Sequence, residues 1–193
     1  MITADDVIAA LMTLENQEQR QVLMRFFKTG PGEYGEGDKF LGIKVPQTRA
    51  VVKEARLQVP LDEITRLLYS PWHEARLCGF LLLVEEMKPH RTLRPTGSDA
   101  LSSHRDTISK HYLRHARQAD NWDLVDLSCP GPVGAWLLPP MPDGTLPPRD
   151  LLYSLARSHP LWEPRIATVA TPHPLTHNTF NTPPPIHLPP PPH

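Results

Sequence analysis

Prolines cut this chain into pieces too short for most folds. There are 24 of them in 193 residues, and nine crowd the last 22 positions, Pro172 to His193. Five more fall between residues 139 and 148. Proline lacks an amide hydrogen and fixes its own φ, so it stops helices and is kept out of central strands. Between the prolines, apolar residues recur at helical spacing, and no period-two run of useful length occurs. The chain therefore reads as all-α, with short helices joined by turns and roughly paired, as in a helical-repeat solenoid. An irregular helical bundle is the plainer alternative, because the repeats are too divergent to set a period.

Thr3 reads as the N-cap of a first helix, with Asp5 and Asp6 at its positive end. Val7, Ile8, Leu11 and Leu14 form its apolar face, and Val22, Leu23, Phe26 and Phe27 a second one. The glycine-rich run Thr29 to Asp38 must be a loop, and it lacks the residue order of a phosphate-binding loop. Pro46 suits the first turn of a helix bearing Val51, Val52 and Ala55. Leu61, Ile64, Leu67 and Leu68 mark another, and Ser70-Pro71 reads as N-cap and first residue of a helix from Trp72 to Met87. Residues 88–103 read as largely loop, and helix resumes from His104 to Ala116 with Ile108, Tyr112 and Leu113 inward. Asp120 or Asn121 caps a helix reaching Leu127. Val133 to Leu138 reads as a short apolar helix, and residues 139–148 as a loop. Leu151, Leu152 and Leu155 belong to the next helix, and Leu161 to Ala170 to the last.

The 20 Lys and Arg balance 21 Asp and Glu, for a net charge of −1. Any basic surface must come from how those charges are distributed. Cys78 and Cys129 form no CxxC pair and sit among apolar residues, which fits reduced, buried thiols. Asp5 and Asp6 interrupt any secretory signal, and the longest apolar run, Phe80 to Val84, is too short to cross a bilayer. The expected location is cytoplasmic. Residues 172–193 hold four histidines and no Asp, Glu, Lys or Arg. They read as an extended or disordered tail after a folded domain of residues 1–171, without a scaffold to hold a metal.

Four stretches together resemble one family. They are Met24 to Ile43, Ser70 to Arg76, Asn121-Trp-Asp-Leu-Val-Asp126 and Leu161 to Ala167. In this order the chain, over about residues 5–171, resembles the DNA alkylation repair family. The Asn-Trp-Asp-Leu-Val-Asp run is its most specific piece. The resemblance implies a superhelix of HEAT-like helix pairs with a concave basic face for double-stranded DNA. It also implies hydrolysis of the N-glycosidic bond of cationic N3- and N7-alkylpurines without base flipping. No metal or organic cofactor is implied, and the location would be bacterial-type, associated with the nucleoid.

Alkylation at N3 or N7 makes the purine a cationic leaving group that needs no protonation. What remains is to stabilise positive charge as it moves onto the sugar and to position water. A carboxylate does both, and an indole face attracts a cation. Trp122 and Asp126 are four residues apart, so a helix places them on one face. By resemblance Asp126 is the catalytic carboxylate and Trp122 its aromatic partner. Spacing alone favours an ordinary core tryptophan and a solvated or salt-bridged acid. Arg165 matches the family's arginine that grips the DNA backbone, with a surface arginine as the alternative. Lys28, Lys39, Lys44, Arg49 and Lys53 are further candidates for phosphate contacts. Asp123 reads as structural, Trp162 as packing between repeats, and Arg76, close to Glu74, as an inter-helix ion pair.

Two departures stand out. Family members continue after Val169-Ala-Thr171 with further helix pairs and another aromatic, where this chain enters its proline- and histidine-rich tail. A solenoid ending there would expose apolar surface and tend to low stability or self-association. Pro164 is the second: in a helix opening at Pro160 it would cost about 3 kcal/mol, unless that helix starts later or kinks. A non-catalytic DNA-binding module and a helical protein-interaction scaffold are therefore the rival readings.

Overall fold

The computed structural model describes residues 1–88, 98–138, 145 and 150–171. The regular structure among them is helical, and their only β pairing is a single bridge between Lys39 and Trp72. The proline-rich loop expected at 139–148, apart from Thr145, and the tail with His173, His177, His187 and His193 lie outside the described residues. Among the described residues no helix is long and apolar enough to cross a membrane.

The order is α1 (Ala4–Met12), α2 (Gln17–Phe26), α3 (Val45–Ala55), α4 (Leu61–Leu68), α5 (His73–Glu86), α6 (Ser98–Arg114), α7 (Trp122–Ser128), α8 (Asp150–Ala156) and α9 (Trp162–Ala170). Thr3 caps α1 as expected: its Oγ1 accepts the Asp6 amide at 3.2 Å, while Asp6 accepts the Thr3 amide at 2.8 Å. α5 is the centre of the molecule. Eleven of its fourteen residues are buried. It packs against α1, α3, α4, α6 and α7, and a helix enclosed on every side has no need of a polar face. Gly79 lets α4 approach closely, since a Cβ there would lie 2.9 Å from Leu68 Cδ2. At the other end, α9 packs on α7 and α8. Cys78 and Cys129 are buried free thiols, and burial pushes both up to about 12.

Several boundaries differ from expectation. α5 begins at His73, because Trp72 and His73 first pair with the chain at Lys39: the His73 amide donates to the Lys39 carbonyl at 2.8 Å. Ser70 instead accepts the Trp72 amide at 3.2 Å. α6 starts at Ser98, well before His104, because a polar run leaves no apolar period to announce a helix. The expected helix at Val133–Leu138 is a π-helical turn, Pro130–Ala135. Pro130 and Pro132 bring no amide hydrogens, and the Cys129 carbonyl accepts from both Val133 and Gly134. α9 opens at Trp162, so Pro164 occupies its third position, where amides lack intrahelical partners. The cost anticipated for Pro164 does not arise.

α2 departs furthest. Its apolar spacing predicts a buried face, yet no residue of α2 is buried. Phe27, just past its end, is 6 % exposed, while Val22 is 50 % and Phe26 60 % exposed. Helical spacing reveals a face without showing whether a partner covers it.

Candidate functional site

The site is assembled around a run of backbone that lies between α2 and α5. Glu74, 2 % exposed, accepts three amides: Leu41 to Oε2 at 2.9 Å, and Gly42 and Ile43 to Oε1 at 2.9 and 3.0 Å. Gly42 has φ +88°, and a Cβ there would sit 2.0 Å from the Asn16 carbonyl oxygen at the start of α2. Only glycine fits that conformation and that approach. The Phe40-Leu-Gly-Ile43 segment is thus a structural clamp that seats α2 against α5.

His73 sits beside that clamp, buried, between two carboxylates. Its Nδ1 is 2.7 Å from Asp38 and its Nε2 2.9 Å from Asp123. Burial opposes its positive charge, but the hydrogen bonds and charges of Asp123 and Asp38 outweigh it and raise its pKa to about 9. Arg76 extends the network. It donates to Asp38 at 2.8 Å, to Asp120 at 3.1 Å and to the Ser70 carbonyl at 3.1 Å. The ion pair expected for Arg76 exists, but its partners lie in the connecting segments, while neighbouring Glu74 serves backbone amides. Asp123 is structural, as its position on α7 implies.

An aromatic stack rises from His73. Phe40 lies over the imidazole at 4.3 Å, Phe27 stacks on Phe40 at 5.1 Å, and Trp122 stacks on Phe27 at 5.4 Å. Phe26 meets the Trp122 ring edge-on at 5.9 Å. Asn121 caps α7 and Trp122 is its first residue, so Asp126 follows one turn later. Both line an open pocket of about 420 Å³ together with Phe26, Phe27, Lys44 and His73. Asp126 is neither sealed nor free. Its side chain is 32 % exposed, and Arg165 grips both its oxygens, Nε to Oδ1 at 2.7 Å and Nη2 to Oδ2 at 2.6 Å. That bond, foremost, holds the Arg165 pKa above its ordinary value.

The structure thus brings Trp122, Asp126 and Lys44 to one pocket and pairs Arg165 with Asp126. Lys28, Lys39 and Arg49 are exposed. Lys53 faces elsewhere, lining a separate apolar pocket between α1 and α3. Trp162 packs edge-on against Tyr34 of the glycine-rich loop at 5.8 Å. Sequence reasoning missed Phe26, Phe27 and His73 at the site. The two phenylalanines were visible only as helix-face residues. His73 carried no local signal, because its partners lie 35 and 50 positions away.

An all-α scaffold presenting a carboxylate and an indole at one pocket, with an arginine paired to the carboxylate, is the kind of frame that the resemblance implied. The chain belongs to the DNA alkylation repair enzyme family, whose family model matches residues 7–183. No curated protein and no solved structure matches it.

Proposed function

We propose that this chain binds double-stranded DNA carrying alkylated bases and hydrolyses the N-glycosidic bond of cationic N3- and N7-alkylpurines, with the base left unflipped. The observation that carries this reading is the placement of Asp126 and Trp122, one helical turn apart, at the same open pocket. Asp126 would stabilise positive charge on the deoxyribose and orient the attacking water. The Trp122 face, with Phe26 set nearly perpendicular to it, would receive the cationic base or sugar by cation–π attraction. Arg165 and Lys44 would hold backbone phosphates at the same opening, with Lys28 and Arg49 as outlying contacts. The helix pairs would form a HEAT-like superhelix whose concave side holds the pocket. The folded domain would end near residue 171, and the chain would act in the cytoplasm beside the nucleoid.

The Arg165–Asp126 bond bears on the order of events. A phosphate competes for the same guanidinium fork, so DNA binding would release the carboxylate for the sugar. The same bond favours a second reading. If Arg165 keeps both Asp126 oxygens when DNA arrives, the chain is a non-catalytic DNA-binding module. Release of 7-methylguanine or 3-methyladenine from methylated DNA tests both. The wild-type chain should release base, and Asp126→Asn should lower the rate by roughly 100-fold or more, as loss of one transition-state contact does. Base release no faster than in buffer, alongside salt-dependent DNA binding, would establish the second reading.

A further inference from the structure

His73 lines the buried side of the pocket with both ring nitrogens engaged by carboxylates, and both members of the proposed catalytic pair lead back to it. We propose that His73 is a positioning residue that sets Trp122 and Asp126 through Asp123 and the Phe27 ring. The inference rests on the glycosylase reading for its catalytic consequence and on geometry alone for its mechanical one.

Two independent contacts carry it. The polar one runs from His73 Nε2 to Asp123 at 2.9 Å, and Asp123 stands between Trp122 and Asp126 on α7. The other Asp123 oxygen accepts the Leu124 amide at 2.8 Å, so the carboxylate is tied to the helix backbone as well. The apolar contact runs through Phe27, which lies 5.2 Å from the imidazole and 5.4 Å from the indole. One side chain thereby fixes the first turn of α7 and the ring that Trp122 leans on.

The opposite nitrogen explains why histidine is used. A carboxylate only accepts hydrogen bonds, so a ring between two carboxylates must donate from both nitrogens, which only imidazolium does. The charged groups facing it are Asp38 from the glycine-rich loop and Asp123 from α7, with Arg76 and Asp120 one step further out. Phe27 and Phe40 bring no charge. Deprotonation removes one of the two anchors, and α7 loses its fixed distance from the loop.

The test uses the full chain. In wild-type protein the Trp122 indole resonance, assigned with Trp122→Phe, is followed against pH together with the His73 ring protons. The indole should move with the same midpoint as His73. The Trp136 indole, which has no ring contact among the described residues, should not. In His73→Gln, kcat for base release should fall by about 10-fold or more with KM changed less than about 3-fold, the mark of a contact expressed in the transition state. A Trp122 indole that stays still through the His73 transition overturns the proposal, as does a folded His73→Gln with wild-type kcat. The indole titration needs neither a His73 variant nor turnover. If the wild-type chain releases no base, the glycosylase reading fails, and the indole still decides the role of His73.

Discussion

The floor and the rim of the pocket are built by opposite means. On the floor, α5 buries Glu74, His73 and Arg76, and each finds partners at hydrogen-bond distance. On the rim, α2 buries nothing, Phe26 is 60 % exposed, and the Arg165–Asp126 bond is open to solvent. A buried charge is costly once it loses its partners, so the floor is held in one arrangement. The rim keeps apolar surface and a partly exposed ion pair, both free to exchange partners. A rigid base under an adaptable edge is what a site needs when its ligand is a long polyanion with one altered base.

The sharpest break of this contrast is Glu74→Ala. It leaves three buried backbone amides without an acceptor, at about 1–3 kcal/mol for each unsatisfied group. Urea unfolding should show a loss of at least ~3 kcal/mol. A loss under ~1 kcal/mol would mean that the clamp is dispensable. Next in size is pH. His73 has a folded-state pKa of about 9 against an ordinary value of 6.5. A raised folded pKa stabilises the charged form, so the contribution is complete below pH 6.5 and is lost as pH rises through about 9. The loss should be on the order of 3 kcal/mol, measured as denaturation midpoints across that window. His73→Gln should flatten the curve.

The rim should respond differently. Phe26→Ala should change stability by only about 0.5 kcal/mol, as exposed positions do, while weakening base release or the affinity for methylated DNA several-fold. Equal losses of stability and function would make Phe26 part of the floor. The smallest effect separates two lysines. Lys44→Ala should lower the slope of DNA affinity against salt by about one, whereas Lys53→Ala, at the pocket between α1 and α3, should leave it unchanged.

The sequence disclosed the parts of this architecture that depend on local pattern. Thr3, the apolar spacing of α4 and the turn-apart placement of Trp122 and Asp126 all act within one helix, and all were legible. What stayed hidden depends on distance along the chain. Nothing near His73 predicts a bridge from Asp38 to Asp123, and nothing in α2 states that its apolar side lacks a cover. Arg165 and Asp126 were each legible as candidates with separate tasks. Their bond to each other spans 39 positions and belongs to tertiary packing.

The glycine-rich run from Thr29 to Asp38 has the composition of a hinge, but it is tethered along its length. Tyr34 rests on Trp162, the Gly35 amide reaches the Lys28 carbonyl at 3.1 Å, and Asp38 is held by both His73 and Arg76. It works as a ligament, tying the end of α2 to α5 and α9. A protease searching for a slack segment should pass it over, and tension applied at α9 should be felt at α2.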